Sequence, residues 1–154
     1  MSHKERPVVA LSPFASPATP EVLAHLHAYL QEFWEILPRE HASALDERFK
    51  MLFVTGVAEI ASNIVKHAYQ GATSPGLLEF HLCLYVDRVE GKFTDRGITW
   101  SGQLGRALPH GANVSQLPEE GRGLHIAQAV LDELRYWRSC NGVNHWLAMK
   151  RFSF

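Results

Sequence analysis

Between Met51 and Val65 the chain reads MLFVTGVAEIASNIV, and the only charged side chain in that run is Glu59. A helix that is apolar nearly all round belongs in a core, because no face of it is suited to water. Charged residues crowd the turns just before it, at Asp46, Glu47, Arg48 and Lys50. The pattern predicts a helix from Ala44 to Tyr69, stopped by a loop holding Gly71, Pro75 and Gly76. The lone carboxylate then needs a reason. Glu59 and Asn63 are four positions apart, so they stand one above the other on a single helix face. Burying a carboxylate without a partner costs several kcal/mol at least. Either that face opens onto a polar cavity or a cation, or it turns to solvent and the pair is coincidental. An amide oxygen beside a carboxylate suits Mg²⁺, which takes few protein ligands and completes its shell with water and phosphate oxygens. Lys66 lies one turn further on, within reach of a phosphate.

The segments on either side have their own periods. Thr19-Pro20 is a helix start, with Thr as N-cap and Pro at the first helical position. Val22, Leu23, Leu26, Leu30, Phe33 and Leu37 follow near a 3.6-residue period, and Pro38 ends the run. Phe33 and Trp34 are read as core and core edge, with a partner contact as the other reading. Leu78 to Val86 alternates, with Phe80, Leu82, Leu84 and Val86 on one face, which predicts a half-buried strand. A second strand is predicted from Val89 to Thr94. Leu124, Ala127, Leu131 and Leu134 share a stripe of a third helix. Strands from Leu134 to Cys140 and Val143 to Phe152 end the chain, with Asn141-Gly142 as the hairpin turn between them. Trp137 alternates with Tyr136, so one of the two faces solvent or another subunit. Residues 1–18 read as a leader with a short edge strand near Val8 to Leu11, and 19–154 as one domain. Helices on one side and mostly antiparallel strands on the other predict an α+β two-layer sandwich.

Composition removes several classes of function. A formal net charge of −1 offers no broad basic field for nucleic acid or anionic lipid. No apolar run reaches the roughly 18 residues needed to cross a bilayer. The first residues lack the apolar stretch of a signal peptide. The two cysteines, Cys83 and Cys140, are far apart and outside any CxxC, which fits free thiols in a reducing cytosol. Nine histidines form neither HExxH nor a Cys/His zinc pattern.

Two further motifs are candidates for chemistry. Asp95-Arg96-Gly97 closes a strand. A carboxylate there is placed to accept from an exocyclic amine such as adenine's, and a glycine lets a ligand approach the backbone. An ordinary Asp/Gly turn has the same composition. Gly121-Arg122-Gly123 opens a helix after a long aperiodic stretch from 99 to about 120. Free N–H groups and the helix dipole favour an anion at such a start, although a flexible helix start would look the same. A loop of that length in a small domain is commonly a lid or binding loop.

In order along the chain, these pieces resemble a known superfamily. GVAEIASNIVKHAYQG is similar to the N-box of the ATP-binding group shared by gyrase, histidine kinases and heat-shock chaperones, which carry the Bergerat-type fold. DRG is similar to its first glycine box, and EEGRGLHIAQAVLDELRYW to its second. The pattern resembles most closely the anti-sigma-factor serine/threonine kinase branch, with the closing hairpin and the ending LAMKRF, over Pro20 to Phe152. The resemblance implies ATP and Mg²⁺ as cofactors, Asn63 as the Mg²⁺ ligand and Glu59 as general base toward a serine hydroxyl. It implies Asp95 as reader of the adenine amine, with Gly97 packed against the base. Gly121, Arg122, Gly123 and Leu124 would cradle the phosphates, and residues 99–120 would form the lid. It further implies an anti-anti-sigma substrate, a sigma factor held inactive, a homodimer, transcription regulation and a cytoplasmic protein with no direct nucleic-acid or membrane partner. One departure from the wider superfamily is the absence of a second glycine just after Gly97, where Ile98-Thr99-Trp100 follow. A non-catalytic nucleotide-binding switch and a detached histidine-kinase-type catalytic module are the alternatives.

Overall fold

The computed structural model describes residues 4–102, 104 and 119–154. Its elements run β1 (Val9–Ala10), β2 (Phe14–Pro17), α1 (Val22–Glu35), α2 (Arg39–Ala42), α3 (Glu47–His67), β3 (Leu77–Leu84), β4 (Arg88–Asp95), α4 (Glu119–Val130), β5 (Glu133–Arg138) and β6 (Asn144–Arg151). The strands make one six-stranded antiparallel sheet in the order β1-β3-β4-β6-β5, with β2 continuing the outer edge of β3. The helices pack on one face of it, as the two-layer α+β reading expects.

The central helix α3 explains the architecture. The Asp46 side chain accepts from the Phe49 backbone N–H at 2.8 Å and caps the first turn. Phe49, Phe53, Val57, Ile60, Ala61 and Ile64 are buried along it. Against them lie Leu26, Leu30 and Phe33 of α1, Phe80 and Leu82 of β3, Phe93 of β4, Leu124 and Ala127 of α4, and Trp146 of β6. A close-packed contact set of this kind is one continuous core. The helix is not buried all round, however. Met51 is 61% exposed, so α3 keeps one wet edge between its neighbours.

Several boundaries differ from the sequence reading. The helix predicted from Ala44 starts at Glu47, because Asp46 takes the capping position and residues 43–45 are the turn after α2. Thr19 does not cap α1. Its carbonyl and that of Pro20 accept from the N–H groups of Val22 and Leu23, a tight i→i+3 turn, and the α-helix begins only at Val22. Nor does α1 run to Pro38. It stops at Glu35, and Pro38 instead opens the short α2, which at four residues is too brief to leave a period in the sequence. Residues 9–17 add two edge strands to β3, of which β2 was not anticipated. Arg88 fastens the preceding segment, donating to Glu5, Asp87 and Glu90 at 2.7 to 2.9 Å. The final hairpin is wider than a two-residue turn. Ser139 N–H donates to the Val143 carbonyl, so the loop spans 139–143, with Gly142 at φ +79° inside it. Trp34 packs against Phe53 in the core, and Trp137 is the exposed member of its pair, stacked on His145.

Candidate functional site

Strand β4 carries alternate residues inward, Val89, Gly91, Phe93 and then Asp95. The last of these is a carboxylate at a core position, only 3% exposed. Such a group needs compensating donors. Its Oδ1 accepts from the Gly97 backbone N–H at 2.8 Å and from the Asn144 side-chain amide at 2.8 Å. Asn144 comes to it because β6 pairs with β4 in the register Asp95↔Asn144. Neighbouring Tyr69, in the turn after α3, donates its hydroxyl to the Leu77 carbonyl at 2.6 Å and accepts from the Arg96 N–H at 3.0 Å. Burial pushes the Tyr69 pKa up, and the Arg96 bond offsets part of that.

Beside Asp95 lies a cavity of about 440 Å³. Asn63, Ile64 and His67 of α3 form one wall, Leu124, His125 and Gln128 of α4 another. The sheet and the segment after β4 supply Asp95, Ile98, Trp100, Tyr136, Asn144 and Trp146. Three of these are aromatic and in mutual contact. Trp100 lies 5.3 Å from Tyr136 and 5.1 Å from Trp146, and Tyr136 lies 4.6 Å from Trp146, ring centre to ring centre. One carboxylate at the end of an aromatic wall suits a flat heteroaromatic ring with an amine at its edge. Among the described residues no three His, Cys, Asp or Glu side chains gather as a metal cluster.

The sequence candidates fall into groups. Asn63, Asp95 and Leu124 line this one cavity. Glu59 is half-buried one turn before Asn63, and its Oε2 lies against Gly123 of α4, where a Cβ would strike it. That brings the carboxylate and the glycine motif together, next to Asn63 and Leu124 of the cavity wall in their respective helices. Gly121, Arg122 and Gly123 lie within the first turns of α4, which begins two residues earlier, at Glu119, rather than at the glycine. Lys66 is exposed and outside the cavity wall. Gly97 does not turn its open side to the cavity. A Cβ there would strike the Ala68 carbonyl and sit 2.7 Å from the Ala68 Cβ, so this glycine lets β4 reach the end of α3. Most of the predicted lid, 103 and 105–118, lies outside the described residues. The sequence reading missed Trp100, Tyr136, Asn144 and Trp146. A signal for Asn144 was present: a polar residue where the β6 alternation calls for an inward apolar one.

An antiparallel sheet covered on one face by helices, with a polar-ended cavity lined from both layers, makes this an α+β two-layer sandwich with a site of small-molecule size. More specifically, the chain belongs to the histidine kinase-like ATPase domain family, whose model matches residues 17–150. It is 31% identical over 83 residues to the serine-protein kinase RsbW of Bacillus licheniformis, covering 51% of each chain. It is 23% identical over 86 residues to RsbW of Staphylococcus aureus, covering 53% of this chain and 54% of that one. The chain thus spans about half the length of the curated relatives it matches. A crystal structure of the RsbU and RsbW domains of Rv1364c from Mycobacterium tuberculosis is similar in fold. Its TM-score is 0.57 at 21% identity, over 92% of this chain and 32% of that one. Among the described residues no helix is long and apolar enough to cross a membrane.

Proposed function

We propose that this chain binds ATP with Mg²⁺ and transfers the γ-phosphoryl group to a serine of a small anti-anti-sigma protein. We include in that reading a second partner, a sigma factor held inactive by binding. The observation that carries the proposal is the meeting of Asn63 of α3, Asp95 of β4 and Leu124 of α4 around one cavity. Its volume lies in the range of roughly 300–1,000 Å³ usual for small-molecule sites. The similarity to proteins named serine-protein kinases supports the choice of serine as acceptor.

Each residue then has a task. Asp95 accepts from the adenine amine, and the aromatic wall of Trp100, Tyr136 and Trp146 lies along the base. Gly121, Arg122, Gly123 and Leu124 sit within the first two turns of α4, near the end of the helix whose dipole favours phosphate. Lys66, exposed and next in sequence to His67 of the cavity wall, has a side chain long enough to swing toward a phosphate. Asn63 offers an amide oxygen to Mg²⁺, a cation that needs few protein ligands. Bound there, Mg²⁺ supplies neutralisation of phosphate charge. In the transfer, the serine oxygen bonds to the γ-phosphorus as the bond to the β–γ bridging oxygen breaks, and ADP leaves. Glu59 takes the serine proton, a light task in a loose transition state.

The test is transfer of labelled phosphate from ATP to an anti-anti-sigma protein, with wild type and Glu59→Gln. Acid-stable phosphoprotein from the wild type, reduced about 10²-fold or more in the variant, is the expected result. Acid-labile product would point to histidine as acceptor. Tight ATP binding without transfer would make the domain a non-catalytic switch.

A further inference from the structure

The Asn144 side chain makes five hydrogen bonds and the residue is only 2% exposed. Its amide nitrogen donates to Asp95 Oδ1 at 2.8 Å, to the Ile98 carbonyl at 2.9 Å and, more weakly, to the Gly97 carbonyl at 3.3 Å. Its carbonyl oxygen accepts from the Tyr136 hydroxyl at 2.6 Å and from Arg138 Nη1 at 2.9 Å. This set fixes which end of the amide is which. Reversed, the carbonyl would face a carboxylate and two carbonyls, while the NH₂ would face a guanidinium. The network continues outward. The Tyr136 hydroxyl accepts from the Trp100 N–H at 3.0 Å, and Arg138 Nη1 also donates to the Gly97 carbonyl at 3.0 Å.

Resting on the nucleotide reading above, we propose that Asn144 is a positioning residue that sets base selectivity by fixing the Asp95 carboxylate. Two donors, the Gly97 N–H and the Asn144 amide, hold Oδ1. That leaves Oδ2 as the oxygen with capacity for a ligand amine, and it prevents the carboxylate from rotating to suit another edge. The same amide holds the Ile98 carbonyl, and through Tyr136 it sets Trp100 against the aromatic wall. Asn144 therefore places both the polar and the flat part of the base pocket without itself reading the base. The preferred ligand class is a purine nucleotide with an exocyclic amine donor. A 6-oxo purine turns an acceptor toward a fixed carboxylate and is rejected. Fully paired buried groups of this kind discriminate well because they cannot adapt.

The experiment compares affinities for ATP and ITP, measured by calorimetry with Mg²⁺, in wild type and Asn144→Leu, with thermal melts to confirm folding. Wild type should prefer ATP by about 10²-fold or more, and Asn144→Leu should narrow that ratio by about tenfold. A merely structural loss would weaken both nucleotides and leave the ratio unchanged, which would overturn the inference. Wild type that binds neither nucleotide would instead defeat the nucleotide reading itself. If Asn144→Leu fails to fold, the wild-type side-chain amide decides. Its two NH₂ protons should exchange slowly with solvent in NMR, before and after ATP is added, and rapid exchange would overturn the inference.

Discussion

Replacing Gly97 by Ala should destabilise the fold by about 2–4 kcal/mol, because the added methyl group has nowhere to go. Its Cβ would collide with the Ala68 carbonyl and lie 2.7 Å from the Ala68 Cβ. Neither neighbour is a flexible side-chain tip. Ala68 closes α3, its own N–H bonded to the Ile64 carbonyl at 2.9 Å, and its carbonyl accepts from the Ile98 N–H at 2.7 Å. Relief therefore demands that the strand end move away from the helix end. Overpacking of that kind costs about 1–3 kcal/mol. Separation also breaks the Ile98 bond, for about 1 kcal/mol more. The same movement drags the Gly97 N–H from Asp95, so nucleotide binding should weaken together with stability. Urea unfolding of wild type and variant, followed by tryptophan fluorescence, measures the difference directly. A loss under about 0.5 kcal/mol with an unchanged slope would fall in the range of an ordinary surface substitution and refute the steric argument.

Gly123→Ala should behave in the opposite way. Its Cβ would meet the Glu59 carboxylate, a mobile tip, and stand 3.4 Å from Glu59 Cδ. Stability should change by less than about 1 kcal/mol, while phosphoryl transfer falls about 10²-fold through displacement of the base, read as kcat beside a denaturation midpoint. Asp95→Asn should cost ATP about 10²-fold in affinity by calorimetry while sparing ITP. With its oxygen held by the Gly97 N–H and Asn144, the new amide would turn its NH₂ toward the ligand. Cys140 should react with a thiol reagent much faster than Cys83 in the native state, since Cys83 is buried and burial pushes its thiol pKa up. Equal rates would refute that placement. Tyr69→Phe removes bonds to Leu77 and Arg96 and should cost about 1–2 kcal/mol. Folding raises the Tyr69 pKa, chiefly by burial, so its contribution is complete below the ordinary tyrosine value near 10 and fades as pH climbs through the folded value. Melts from pH 8 to 11 should show the wild-type advantage shrinking only at the alkaline end.

Much of this protein is legible in short stretches of its chain. The α3 segment announces itself as a core helix because an apolar run broken by a single Glu59 has one stable use, and four-residue spacing places Asn63 on the same face. The β3 alternation and the Asn141-Gly142 signal are equally local, because side-chain direction repeats every two residues in a strand and a positive φ selects glycine. The sequence alone thus carries the elements, most of their inward faces, and the ordered motifs of the family. It carries the ends less well. The Thr19-Pro20 start and the Pro38 stop were displaced by neighbouring turns, and α2 and β2 are too short to show a period. What only the tertiary structure decided is how distant polar groups meet. Asn144 reaches Asp95 across forty-nine positions because β6 lies beside β4 in one register. Gly97 is a glycine on account of Ala68, a helix end that no local pattern places beside it. Periodicity records the direction in which a side chain points relative to its own element. The partner found in that direction depends on strand order and register, which the packing of the whole core selects.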